Sequence, residues 1–197
     1  PKKLYVDYGL YDYNKPALGF ANPDRYNIET NHAYCMMDYF APELKAKYNA
    51  LFGGMVSQRS DEQTFMQRTT EPVCGKVLYD EVGTAAGNWY DHPVKVKNVT
   101  DNDALILMHD NLQPALGKIT IAGVLGFTFT PLHSGQYNRE FSEVTADGVV
   151  YCYSREEQNV KEKVLLQLID ETHMKVEKLG GACGSNETFI NPTNYER

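Results

Sequence analysis

Gly83-Thr-Ala-Ala-Gly-Asn-Trp-Tyr-Asp91 contains the only tryptophan of the chain, and its reading decides the fold. Four small residues, Gly83, Ala85, Ala86 and Gly87, let a second backbone come close, and Trp89 then supplies a large apolar plug. The chain changes character here. Residues N-terminal to the stretch read as irregular or helical, and residues C-terminal to it read almost entirely as β-strand.

Downstream, short runs with β-type composition succeed one another at 77–82, 88–92, 104–109, 118–124, 127–131, 139–144, 149–153, 164–169, 174–179 and 188–190. Turn chemistry separates them, as at Asp101-Asn-Asp103, Gln113-Pro114, Ser134-Gly135, Asp147-Gly148 and Gly180-Gly181. The clearest hairpin joins 141–145 to 149–153 through Ala146-Asp-Gly148. The run 164–169 does not alternate cleanly, which is the pattern of a strand buried on both faces. About ten short strands with hairpin-length connections make a closed antiparallel β-barrel or a β-sandwich.

Upstream, 4–11 alternates weakly and reads as a strand, broken by Asn14-Lys-Pro16 and Ala21-Asn-Pro-Asp24. From 38 to 52 the period becomes helical: Asp38 as N-cap, Pro42 in the first turn, Leu44, Tyr48, Leu51 and Phe52 on one stripe, and Gly53-Gly54 as the stop. The stripe is short, so the expectation is a surface helix docked on the sheet. Residues 54–71 are polar and read as a loop. The division this implies is an N-terminal appendage, 1–73, and an antiparallel β domain, 74–197.

At 197 residues such a chain buries enough surface to fold without a staple. Its net charge of −7 and pI near 5.2 leave no basic footprint for a nucleic-acid partner. No apolar run is long enough for a membrane-spanning helix, so no membrane insertion is expected. The chain opens at Pro1, as a processed protein or a piece of a longer precursor does. Cys35, Cys74, Cys152 and Cys183 form no Cys-x-x-Cys pair, which argues against structural zinc. Dispersed, even-numbered cysteines in an acidic chain fit a secreted, extracellular or periplasmic protein with two disulfides. Of the three possible connectivities, Cys35–Cys74 with Cys152–Cys183 closes each loop within one half of the chain.

Chemistry-bearing residues are sparse. No two of His32, His92, His109, His133 and His173 have the spacing by which a strand or helix chelates zinc, and no metal or cofactor is expected. His109-Asp110 ends one predicted strand and His133 another, so these three are the candidates for an acid–base or metal site at one rim. The alternative is that Asp110-Asn111 starts a turn and His109 caps a strand. Asp101-Asn-Asp103 lacks the rest of a calcium loop and reads as a turn. Glu140 and Glu143 fall on opposite faces of the predicted strand 139–144, which is wrong for a cooperating pair. His32 near Cys35 reads as structural. Tyr5, Tyr8, Tyr11 and Tyr13 are a possible glycan or peptide platform, although such tyrosines more often fill a sheet face.

The Gly-x-Trp at Gly87–Trp89, opening an antiparallel meander, resembles the entry motif of the calycin superfamily. That resemblance implies a barrel in which a basic residue near the last strand, Arg197 or Lys178, covers the tryptophan ring, and a small ligand held near Trp89 and Tyr90. A second resemblance covers nearly the whole chain. Gly19-Phe-Ala-Asn-Pro-Asp-Arg-Tyr26, His32-Ala-Tyr-Cys-Met-Met-Asp-Tyr-Phe40, Glu71-Pro-Val-Cys-Gly75 and the tryptophan stretch itself are similar to segments of uncharacterised secreted bacterial proteins. So are Met108-His-Asp-Asn111, Asn138-Arg-Glu-Phe-Ser-Glu-Val-Thr145, Tyr151-Cys-Tyr153, Leu165-Leu-Gln-Leu168 and Ala182-Cys-Gly184. In several of those proteins a module resembling lysostaphin-type (M23) zinc peptidases precedes this region. Here Leu4-Tyr-Val-Asp-Tyr8 has no histidine where that module carries its His-x-His ligand pair.

The leading expectation is a non-catalytic binding or structural module of a larger extracellular or envelope protein, taking a protein, glycan or small-molecule partner. It would associate with itself or with the missing N-terminal part. The alternatives are a metal-dependent hydrolase or accessory built on His109, Asp110 and His133, and a calycin-like binder of a small ligand.

Overall fold

A computed structural model describes residues 10–59, 62–91, 104–121, 125–155 and 162–197. The expected strand at 4–11, Tyr5, Tyr8, His92 and Asp101-Asn-Asp103 lie wholly or mostly outside these residues. The fold is mainly β. A two-stranded hairpin, β1 (Gly53–Arg59) and β2 (Glu62–Gln67), stands apart from an eight-stranded antiparallel sheet. That sheet holds β3 (Gly87–Tyr90), β4 (Ala104–His109), β5 (Gly117–Ile121), β6 (Leu125–Phe129), β7 (Tyr151–Ser154), β8 (Glu162–Leu168), β9 (His173–Gly180) and β10 (Thr193–Glu196). Its spatial order is β6-β5-β4-β3-β10-β9-β8-β7, so two four-strand meanders join where β3 meets β10.

The sheet curls until its outer strands nearly meet, giving a barrel with one gap, between β6 and β7. Phe129 of β6 packs edge-on to Tyr153 of β7 with ring centroids 5.1 Å apart, and Phe141 packs against both. The free edge of β7 is covered: Tyr137 bridges Cys152, and buried Asn138 exchanges side-chain hydrogen bonds with the backbone of Ser154. Asn138 does this at φ 45°, a left-handed conformation that Asn tolerates better than most residues. Inward residues alternate along the strands, with Leu105, Leu107, Ile119, Phe127, Val164, Leu166, Met174 and Val176 filling the interior. On β8 Leu165 is buried as well, on the opposite face from Leu166, as the broken alternation predicts. The segment after β9 folds back over that outer face, held by the Cys152–Cys183 disulfide and by Glu177, which accepts from the Ile190 and Asn191 amides.

Trp89 sits at the seam between the meanders and is fully buried. Its Nε1 donates to the Ala85 carbonyl at 2.9 Å, and the Arg197 guanidinium lies 4.2 Å from its ring centre. Arg197 directly follows β10 and donates to the carbonyls of Ala86, Thr84, Glu81 and Glu171. Gly87, at φ 135°, has no room for a side chain: a Cβ there would lie 2.8 Å from the Asp80 Cα. That contact is the close approach the small residues of 83–87 permit.

Asp80 ties the appendage to the barrel, accepting from the Ala21 amide with one oxygen and from the Asn88 amide with the other. Beside it Arg25 is buried, pairs with Glu196 at 2.6 Å and lies over the Tyr90 ring. Burial, reinforced by the Tyr90 hydroxyl, pushes the Tyr26 phenol far above its ordinary range.

Several local expectations are corrected. Residues 54–71 contain the β1–β2 hairpin; Ser57-Gln-Arg59 and Glu62-Gln-Thr64 are polar throughout, so no hydrophobic alternation marks them. The helix of 38–52 is a 3-10 turn, Met36–Tyr39, followed by α2 (Pro42–Asn49), with a one-turn helix α1 (Ile28–Asn31) before both. Asp38 pairs with Lys45 and does not cap, and Leu44, Tyr48 and Leu51 are exposed, so no apolar stripe docks. Residues 139–144 form a 3-10 turn over Phe141–Glu143, because Phe141 and Val144, three apart, both point into the core. The expected 141–145 hairpin is therefore absent, and β7 pairs with β8. Residues 77–82 turn around Asp80, and 188–190 end where the Ile190 amide donates to Glu177; neither is a strand.

Candidate functional site

A cleft of about 470 Å³ opens at one rim of the barrel, where β4 ends. Its floor is the end of the core, Ala86, Leu107 and Phe141. One wall comes from the segment between β2 and β3 and carries Arg68, Glu71, Lys76, Tyr79 and Glu81. The other comes from the β4–β5 turn and the Phe141–Glu143 turn. The Cys35–Cys74 disulfide anchors the first wall to the appendage.

His109, Asp110 and His133 all line this cleft, so the topology brings together three residues spread over 25 positions of sequence. They do not converge on one point. Asp110 turns away to accept from the Leu112 and Gln113 amides and to pair with Lys118. Burial raises its carboxyl, but those amides and the ammonium outweigh burial and hold it below the ordinary carboxylate range. This is the turn reading of Asp110-Asn111. Among the described residues, no three His, Cys, Asp or Glu side chains are grouped to hold a metal ion.

Glu140 and Glu143, expected on opposite faces of a strand, line the same cleft, because the Phe141–Glu143 turn replaces that strand. Glu140 has a side chain only 10% exposed, and Oε1 lies 3.1 Å from Nε2 of His109. The other ring nitrogen of His109 lies 2.7 Å from the Pro114 carbonyl. A carbonyl only accepts, so Nδ1 is the donor to Pro114. Glu143 is held by Arg139 at 2.9 Å and accepts from Nδ1 of His133 at 2.7 Å, leaving Nε2 of that exposed ring without a hydrogen bond among the described residues. Arg68 donates to the Asn111 and Pro72 carbonyls, locking the two walls together.

The remaining candidates lie elsewhere. Trp89 is enclosed by Arg197 and the core, and Tyr90 is covered by Arg25 and Tyr26, so neither presents a surface to the cleft. Lys178, the other residue considered for covering Trp89, pairs with Glu162. His32 is hydrogen-bonded to the Asp12 carbonyl and packs on Tyr13, and His173 pairs with Asp170. Cys35 is in a disulfide. Tyr11 and Tyr13 are about half exposed. Sequence reasoning missed Glu140 as a site residue, together with Arg68 and Tyr79. The legible signal was the run Arg139-Glu-Phe-Ser-Glu143, whose charges flank a single apolar anchor.

Fold and site together define a small antiparallel β-barrel with a filled interior and a polar cleft at its mouth. Comparison with protein-family models, curated proteins and solved structures found no match.

Proposed function

We propose that this is a non-catalytic binding module of an exported protein, and that it takes its ligand in the cleft at the barrel mouth. The observation that carries the reading is Glu140. Its side chain is only 10% exposed and sets Oε1 3.1 Å from Nε2 of His109 in a cleft of ligand size, polar groups converging above an apolar floor as a ligand site requires. The filled interior favours this site over a calyx around Trp89. Two disulfides support an oxidising compartment, and among the described residues no helix is long and apolar enough to cross a membrane. Attachment to a larger extracellular or envelope protein is part of the same proposal, and rests on the sequence resemblance to secreted proteins.

The test is ligand mapping by amide NMR on the full chain. Bound compounds are expected to shift resonances of 107–111 and 140–143 without quenching Trp89. Quenching of the indole with a silent cleft sinks the reading in favour of an interior ligand. A second reading, a hydrolase or accessory with or without metal, draws on the Glu143–His133 contact, which leaves Nε2 of His133 available as a base. Turnover of a bound ligand that is lost in His133→Ala, or stoichiometric zinc, favours it.

A further inference from the structure

One wall of the mouth cleft is held in place by very little. Between the end of β2 and the start of β3 the chain forms no strand and no helix. From 69 to 79 the only backbone hydrogen bond joins the Gly75 amide to the Pro72 carbonyl, inside the segment itself. Side chains tie its two ends: Arg68 donates to the Asn111 carbonyl, and Asp80 accepts from the Ala21 and Asn88 amides. Between them the Tyr79 hydroxyl reaches Oδ1 of Asn111 at 3.5 Å, and Cys74 is bonded to Cys35. A segment with so few backbone ties opens locally at low cost once its crosslink is gone.

That crosslink can be reached from solvent. A groove of about 350 Å³ on the appendage side is lined by Cys35 and Cys74 themselves, with Met36, Met37 and Phe52 as its apolar part. Lys76, Tyr79 and Asn111 line both this groove and the mouth cleft, so 74–79 is a partition with open space on either side. Both cysteines are half-buried. The second bridge differs. A groove touches Cys152 too, but that residue is 2% exposed within β7. The segment that carries Cys183 is also held by other means, Lys163 pairing with Glu187 at 2.6 Å and Glu177 accepting from the Ile190 and Asn191 amides.

We infer that Cys35–Cys74 is a redox latch on the mouth cleft. Oxidised, it fixes the partition; reduced, it frees 69–79 and loosens the cleft that they wall. In the oxidising compartment proposed for this chain the latch is shut at rest, and the reductant that opens it is an external dithiol. One thiolate of the dithiol attacks a protein sulfur, forms a mixed disulfide and expels the other cysteine as a thiolate. Its second thiol then displaces the first cysteine. Two electrons and two protons pass to the protein, Cys35 and Cys74 become thiols, and the dithiol leaves as a cyclic disulfide. Control of a ligand site by the latch rests on the reading of the cleft as that site, whereas the latch itself is tested without a ligand.

The experiment treats the full, oxidised chain with limiting dithiothreitol under native conditions, quenches with excess iodoacetamide and maps the labelled cysteines by mass. Cys35 and Cys74 are expected to be labelled at least about tenfold faster than Cys152 and Cys183, because a reachable sulfur is attacked before a buried one. Trypsin then reads the wall: with this bridge alone opened and alkylated, cleavage after Lys76 is expected to rise about tenfold or more while Trp89 emission stays unchanged. Amide resonances of 107–111 are expected to shift, because Arg68 and Tyr79 tie the wall to Asn111. The Cys35→Ser/Cys74→Ser variant is expected to show the same cleavage and shifts without dithiol. Labelling of Cys152 and Cys183 first, or at the same rate, overturns the inference. A wall that resists trypsin equally before and after reduction overturns it too, as does loss of native Trp89 emission, which would make the bridge a staple of the whole fold. Shifts confined to 33–37 and 72–76 separate the bridge from the cleft and also overturn it. A latch that opens as expected beside a cleft that takes no ligand leaves the inference about the wall standing and sinks the binding-module reading alone.

Discussion

Trp89 is held by a single side chain that closes the barrel seam. Arg197 covers its ring and satisfies four backbone carbonyls from two segments, so truncation removes a cation–π contact and leaves buried acceptors without a donor. Arg197→Ala is expected to cost about 3 kcal/mol in urea denaturation and to shift the Trp89 emission to the red. Gly87→Ala places a methyl group against the Asp80 backbone at φ 135° and is expected to cost at least about 2 kcal/mol by the same measurement. Asp110 offers a test by pH. Its carboxyl is held below the ordinary range, so its stabilising effect is present above the unfolded-state pKa and is lost as pH falls through the lower folded-state value. Asp110→Asn is therefore expected to be less stable than wild type near neutrality, with the difference vanishing once the wild-type carboxyl is protonated. A gap that persists in acid would mean that the charge is not what matters there.

The two disulfides hold different elements and should fail differently. Cys152–Cys183 closes a loop of sequence separation 31 and pins the returning segment over Leu165. Replacing both cysteines with serine is expected to remove roughly 3–4 kcal/mol by the chain-entropy argument and to speed hydrogen exchange at the Ile190 and Asn191 amides. Cys35–Cys74 holds a wall of the cleft and no strand of the barrel. Its removal is expected to leave the Trp89 environment intact while loosening 68–79, a contrast that exchange mass spectrometry reads directly. The pairing was legible in the sequence because each bridge joins cysteines of one half. The 3-10 turn at Phe141–Glu143 was not: a five-residue run with one apolar anchor fits a strand equally well until the burial of Val144 is known. That one turn decides whether Glu140 and Glu143 share a site.

At the scale of the molecule, appendage and barrel are joined through Asp80, through Arg25 with Glu196, and through the Tyr26 and Tyr90 hydroxyls. These contacts are partly shielded from water and link both parts, so the two are expected to unfold together, with tryptophan fluorescence and near-ultraviolet tyrosine signals giving coincident transitions. Separate transitions would show that 1–73 and 74–197 are independent units. What the sequence determined alone was local in origin: β-strand content, the small-residue approach to Trp89, and a cysteine arrangement that permits two short-range bridges. These come from side-chain size, period and spacing, which neighbours along the chain suffice to set. Closure of the sheet, the choice of Arg197 over Lys178 above the indole, and the meeting of His109, His133, Glu140 and Arg68 in one cleft were decided only by the tertiary structure. They depend on strand order and curvature, which bring residues dozens of positions apart to one rim and which no local pattern encodes.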